Sequence, residues 1–201
     1  GFLKGFYFGV PRISRELISE YKEGLIALTS GINGDIPDAI LNTGEQKGEE
    51  LFKWWKETFE DDFYVQIQNH KLPEEEHLND VLLHFADKYQ VKILAQNQTY
   101  YTNKDDSNIQ DIVSCIKDGE KLTTPVGKGF GKRRGLAAGE YFIKNSHEIK
   151  EAFLNYPDAF DAYEEFTAKF SPYTLKRDVL LPKFDIPEEF IHAEDDVDGG
   201  K

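Results

Sequence analysis

The sequence predicts an α/β fold built on parallel strands, and three observations carry that prediction. Short apolar runs bounded by turn residues recur at 24–29, 62–68 and 91–95. Between them lie longer segments with apolar residues at helical spacing. Strands separated by helices pair in parallel, because the helix carries the chain back across the sheet in a right-handed crossover. Such sheets collect ligands at the carboxyl ends of their strands, so a site is expected there. Three clear strands are too few to close a barrel, which implies a piece of a larger unit.

In chain order, Ser14 can cap a helix whose apolar positions include Leu17, Ile18 and Tyr21. Gly24 to Thr29 reads as a buried strand, and Gly31 to Gly34 as a turn. Pro37 suits the first turn of a helix running to Leu41. The next helix carries Leu51, Trp54, Trp55 and Phe59 on one face, and both indoles are expected in the core. Residues 62–68 alternate and read as a strand that ends at Asn69 and His70. Pro73 and the acids Glu74, Glu75 and Glu76 then open a long helix at its positive end. Its buried stripe is Leu78, Val81, Leu82, Phe85 and Tyr89.

The strand at 91–95 leads into residues 96–101. A further helix bears Ile109, Ile112, Val113 and Ile116 and stops at Gly119. Cys115 falls on that apolar side and is expected to be an inert core thiol. Residues 120–139 hold Gly127, Gly129, Gly131, Gly135 and Gly139 and read as a flexible loop. A short strand is expected at 140–143, then a helix through Phe153 with a capping box from Asn145 and Glu148. Pro157 starts another helix with Phe160, Tyr163 and Phe166. This gives a main domain over 1–178 and a Pro-punctuated, acidic, irregular linker over 179–201.

Composition narrows the function classes. The net charge of −13 repels phosphate backbones, so the chain as a whole is a poor nucleic-acid binder. Four basic residues, Lys128, Lys132, Arg133 and Arg134, crowd one Gly-rich stretch, a candidate nucleic-acid or partner contact. The stretch lacks the G-K-[ST] ending and the strand-to-helix setting of a phosphate loop. The single cysteine excludes an internal disulfide and a Cys-rich zinc site, and fits a reducing cytoplasm. No signal peptide and no long apolar run point to secretion or a membrane. There is no methionine, which implies a removed start or an internal piece. Ser30, Ser107 and Ser114 have no G-x-S-x-G elbow, so a serine hydrolase is not expected. His77 and His84 stand seven apart, wrong for an i, i+4 metal pair, and are expected on the surface. His70 sits at a strand end. Asp35, Asp61 and Asp62 are its conceivable partners, but none falls in a ligand-spaced motif, so a hydrogen-bonded structural role is the preferred reading.

Several stretches together resemble a known family. They are 5–8 (GFYF), 11–13 (PRI), 24–28 (GLIAL), 63–76 (FYVQIQNHKLPEEE), 91–101 (VKILAQNQTYY), 108–119 (NIQDIVSCIKDG), 140–149 (EYFIKNSHEI), 156–159 (YPDA) and 180–184 (LLPKF). Their order resembles the N-terminal PHP (polymerase and histidinol phosphatase) domain of bacterial DNA polymerase III alpha subunits, over about residues 5 to 190. The resemblance implies a partial PHP-type distorted (β/α)7 barrel. It implies a parent DNA-directed DNA polymerase that uses Mg at palm aspartates outside this chain. The family's H-x-H metal motif would also lie outside it. Metal-competent relatives act as phosphoesterases or proofreading exonucleases. Here the family's ligand positions fall on Gln98, Tyr100 and Gln110, and only His70 remains of them. Neutral amides and a phenol are poor ligands beside carboxylate and imidazole. The resemblance thus implies a degenerate site with no metal or other cofactor in this segment. It implies a cytoplasmic structural module that docks a proofreading exonuclease subunit, contacts the rest of the alpha chain, and meets DNA only through the parent enzyme. The alternatives are a metal-dependent phosphoesterase or exonuclease of the PHP superfamily, and a nucleic-acid-binding segment using Lys128 to Arg134.

Overall fold

The computed structural model describes residues 5–127, 129–136 and 138–176. Its strands are β1 (Phe6–Tyr7), β2 (Val10–Pro11), β3 (Ala27–Leu28), β4 (Phe63–Gln68) and β5 (Ile93–Gln96). β1 and β2 form an antiparallel hairpin with every residue exposed. The other three form one parallel sheet in the order β3-β4-β5. The predicted α/β architecture with parallel strands and flanking helices is what the chain adopts.

The centre of that sheet is β4, and all six of its residues are buried. Period-2 alternation does not mean one wet face here, because apolar layers cover both sides. Val65 and Ile67 face the main core, while Tyr64 packs with Leu94 and Ala162 in a smaller one. Gln66 and Gln68 share the face of Tyr64, two and four residues further on.

The helices are α1 (Arg15–Glu20), α2 (Asp35–Asn42), α3 (Glu45–Phe59), α4 (Pro73–Tyr89), α5 (Ser107–Asp118), α6 (Ser146–Ala152) and α7 (Tyr163–Ala168). Ser14 caps α1 as expected, but that helix buries none of its residues. α2 and α3 approach closely at Gly48, where a Cβ would stand 2.3 Å from Ile40 Cγ1. Phe52 is the deep anchor of α3: it is fully buried, with ring centroids 5.1 Å from Phe63 and 5.5 Å from Phe85. The two tryptophans are only partly buried, contrary to the expectation of core packing. Trp55 stacks on Phe59 and donates to Asp35, and the Arg15 guanidinium lies 5.0 Å from the Trp54 ring centroid. Large amphipathic rings pack well at a rim, and apolar spacing does not separate rim from core.

Helix α5 departs further from expectation. Ile109, Ile112, Val113 and Ile116 are all exposed, the last at 75%, while Cys115 beside them is 4% exposed. The stripe is present, and no described layer covers it. Gly119 ends the helix in the left-handed conformation at φ 68°, as the stop signal implied. No strand forms at 140–143; an isolated parallel bridge joins Tyr101 to Phe142 instead. The capping box of α6 is present, with Asn145 Oδ1 accepting from Glu148 N and Glu148 accepting from Asn145 N.

The chain divides into units at residues 1–167 and 168–201. Of the second unit the structure describes 168–176, which holds no strand and only the last residue of α7. The expected linker over 179–201 lies outside the described residues.

Candidate functional site

The carboxyl ends of β3, β4 and β5 lie side by side because the strands are parallel and in register, with Gln68 opposite Gln96. Each strand leaves the sheet through a short turn. Ser30 after β3 and Lys71 after β4 hold left-handed backbone at φ 68° and 62°, conformations non-glycine residues seldom adopt. A cavity of about 270 Å³ opens between these turns, lined by Ser30, Gly31, Ile32, Asn33, Gln66, Gln68, Gln96, Asn97 and Gln98.

His70 anchors the neighbouring wall. Its side chain is 1% exposed and its ring stacks on Tyr141 at 4.3 Å between centroids. Nδ1 lies 2.6 Å from Glu75 Oε1, and Gln98 N donates to Nε2 at 3.1 Å. Those partners assign the tautomer. Nε2 faces a backbone donor, so it carries the lone pair, and Nδ1 carries the proton that bonds the carboxylate. Neither nitrogen keeps a lone pair for anything else. Glu75 is equally committed, its Oε2 accepting from His70 N at 2.5 Å and Leu72 N at 3.3 Å. The imidazole therefore ties the turn after β5 to the first turn of α4.

Of the positions singled out in the sequence, the fold brings three together. Gln98 bonds His70 through its backbone and Tyr100 Oη through its side chain, at 2.5 Å. Tyr100 also lies 5.5 Å from Tyr141, whose phenol is pushed above its usual value by burial and then by the Glu75 charge. Gln110 is elsewhere: it sits on α5, where its carbonyl accepts from Ser114 Oγ. Asp35, Asp61 and Asp62 do not reach His70. Asp35 pairs with Arg15 and bonds Trp55, and Asp61 faces Lys56. Among the described residues, no group of three His, Cys, Asp or Glu side chains is placed to share one ion.

A second polar cluster includes Lys71 of the turn after β4. Glu140 is ringed by Lys71 at 3.3 Å, Lys144 at 3.4 Å and Lys104 at 3.5 Å. Burial works to raise the Glu140 carboxyl, and the three ammonium groups outweigh it, leaving the group below its ordinary value. Burial lowers Lys144, which also bonds Asn97 Oδ1 at 2.9 Å and sits 4.3 Å from the Phe142 ring centroid.

A family model described as the PHP domain matches residues 1–70. The chain is 30% identical over 190 residues to the DNA polymerase III subunit alpha of Borreliella burgdorferi, covering 94% of this chain and 16% of that protein. It is 30% identical over 200 residues to the subunit of the same name from Thermus aquaticus, covering 96% of this chain and 16% of that protein. It is 31% identical over 204 residues to that of Aquifex aeolicus, covering 92% and 16%. The chain is homologous to DNA polymerase III alpha subunits. It spans about one sixth, 16%, of the length of these alpha subunits and includes PHP-domain sequence.

The basic stretch is arranged differently from expectation. Arg133 is 6% exposed, and its guanidinium grips Asp111 of α5 in a two-pronged pair at 2.5 and 2.7 Å. It also donates to the Thr124 carbonyl at 2.8 Å. Arg133 is thus a structural clamp and not a surface contact. A buried guanidinium needs its donors filled, and Asp111 with the nearby carbonyls fills them. Backbone bonds from Gly127 N to Arg133 O and from Arg133 N to Pro125 O close the loop around it. Lys132 and Arg134 remain exposed, and Lys128 lies outside the described residues.

Sequence reasoning missed Glu75, Tyr141 and the inward-facing Gln66 and Gln68. Glu75 was legible only as a helix-opening acid. Its role as acceptor for His70 depends on the turn at Lys71, which no local pattern announces.

Proposed function

We propose that this chain is a segment of a replicative DNA polymerase alpha subunit whose strand-end site serves structure and not metal-dependent hydrolysis. The polymerase activity, with its Mg, belongs to parts of the alpha subunit that this chain does not contain. The observation that carries the reading is the closure of His70: its Nδ1 proton goes to Glu75 and its Nε2 lone pair accepts from Gln98 N. A divalent cation needs lone pairs from imidazole or carboxylate. The remaining candidates, Gln98, Tyr100 and Gln110, offer amides and a phenol, so the residues present do not fit a Mg, Mn or Zn cluster.

In this reading the segment stiffens the polymerase chain and offers a docking surface. The exposed stripe of Ile109, Ile112, Val113 and Ile116 supports contact with protein, because contiguous apolar surface of this kind marks interaction sites. The rest of the alpha chain and a proofreading exonuclease subunit are the partners, in the cytoplasm. Lys132 and Arg134 are the exposed cations that a nucleic-acid or acidic partner would meet.

The test is metal content and hydrolysis by the full-length protein that carries this chain. The expected result is no tightly held Mn or Zn and no turnover of a model phosphodiester. Two or three tight ions per chain, with hydrolysis lost on His70→Ala, would establish the phosphoesterase reading instead.

A further inference from the structure

We infer that the carboxamide-lined pocket at the ends of β3, β4 and β5 binds a nucleobase through the side chains of Gln66, Gln68 and Gln96. The inference goes beyond the structural role above and shares only its premise that no divalent ion occupies the pocket. Of the nine residues lining the 270 Å³ cavity, Asn33, Gln66, Gln68, Gln96, Asn97 and Gln98 carry carboxamides, and none is ionisable. Gln66 and Gln68 are only 9% and 8% exposed. They point to one face of β4 by the two-residue period, and Gln96 stands opposite Gln68 across the sheet.

The committed amides are Asn97, bonded to Phe142 O, and Gln98, bonded to Tyr100. No described group bonds the Gln66, Gln68 or Gln96 side chains. Yet no side-chain polar atom sealed from solvent among the described residues lacks a partner. The Gln66 and Gln68 amides therefore keep an opening, and the cavity they line is that opening. Water can satisfy amides that face this opening, so a ligand that displaces the water must replace its hydrogen bonds.

Complementarity then selects the ligand. An anion finds no cation in this lining, and the net charge of −13 repels it. A divalent cation finds no carboxylate or imidazole. An apolar group would strand the amides. A neutral planar edge that both donates and accepts satisfies them, and a carboxamide pairs with the adenine N6 and N7 edge through two hydrogen bonds. Such a base could arrive as a free nucleoside or unstacked from a single strand.

The test follows the side-chain NH2 resonances of the three glutamines in the 15N-labelled full chain. Adenosine, an uncharged probe, is titrated first, then single-stranded oligo(dA), inorganic phosphate and Mn2+ separately. Saturable shifts at Gln66, Gln68 and Gln96 with adenosine support the inference and point to a free nucleoside. The same shifts with oligo(dA) alone support a base presented on a strand. Gln68→Glu replaces a donor by an acceptor and should weaken binding about tenfold or more. Gln96→Glu, at the half-buried rim, makes the same test where the first variant fails to fold. Unmoved amides with adenosine and oligo(dA) alike overturn the inference and leave the structural role intact. Shifts produced by phosphate or Mn2+ alone also overturn it, and Mn2+ binding would sink the structural role as well.

Discussion

Replacing Glu75 with glutamine isolates the tie that closes the strand-end wall. The carboxylate accepts from His70 N at 2.5 Å and from the Nδ1 position at 2.6 Å, with a longer bond from Leu72 N at 3.3 Å. A glutamine can keep one acceptor for His70 N, but its NH2 then faces Nδ1. If Nδ1 gives up its proton to accept that bond, the proton moves to Nε2 and meets the Gln98 donor at 3.1 Å. Either tautomer leaves two donors face to face. Losing charge assistance on the two short bonds costs about 1 kcal/mol each, and one buried unsatisfied donor about 1–3 kcal/mol more. The expected loss is therefore about 3–5 kcal/mol, a large share of the ~5–15 kcal/mol that holds a domain folded. With a urea slope of about 2 kcal/mol/M, the unfolding midpoint should fall by roughly 1.5–2.5 M. Glu76→Gln, at the exposed neighbouring position, is the control and should stay within about 0.5 kcal/mol. A Glu75→Gln midpoint equal to that of the control would refute the reasoning. So would a 15N spectrum of the unaltered protein with the His70 proton on Nε2.

Other outcomes follow from the same structure. Phe52→Ala removes the ring packed among Phe63, Phe85 and Tyr89 and should cost about 3–5 kcal/mol in chemical unfolding; a cost near 1 kcal/mol would mean the core refills the space. The Asp111 carboxyl is held below its ordinary value by its hydrogen bonds to Arg133. Its contribution is thus fully present above the unfolded value of about 3.9 and lost as pH falls through the depressed folded value. Amide protection at Gly127 and Arg133, taken relative to the intrinsic exchange rate at each pH, should fall across that acid window toward the protection left in Asp111→Asn, and unchanged protection would count against the clamp. Cys115, 4% exposed on an otherwise exposed helix face, should react with a thiol reagent only when α5 opens. Reaction at the rate of a free thiol would contradict its burial.

Helices and strands were legible where local rules suffice. Ser14, the Asn145–Glu148 box and Gly119 act on backbone groups within a turn of themselves, so the residue types announce the helix ends. Burial was less legible. The same spacing that marks Leu82 as core also marks Ile116, which is exposed, because periodicity defines a face and not what lies against it. Trp54 was expected inside and lies at the rim, while Phe52, on a neighbouring row of α3, reaches the centre. Gly-rich composition suggested a free basic loop. The Arg133–Asp111 pair joins residues 22 apart in sequence, and no local rule links them.

By itself the sequence determined the three parallel strands with helices between them and the placement of His70, Gln98 and Tyr100 at strand ends; it missed the β1–β2 hairpin and expected a strand at 140–143 that does not form. The features it determined follow from apolar periodicity and turn chemistry, which act over a few residues. Only the tertiary structure decided what these side chains can do. It spent both nitrogens of His70 on Glu75 and Gln98, separated Gln110 onto α5, and turned Gln66 and Gln68 into a shared pocket. Hydrogen-bond competence depends on which donor stands within about 3 Å of which acceptor. That proximity is created by strand register and by the turns at Ser30 and Lys71, where distant parts of the chain meet.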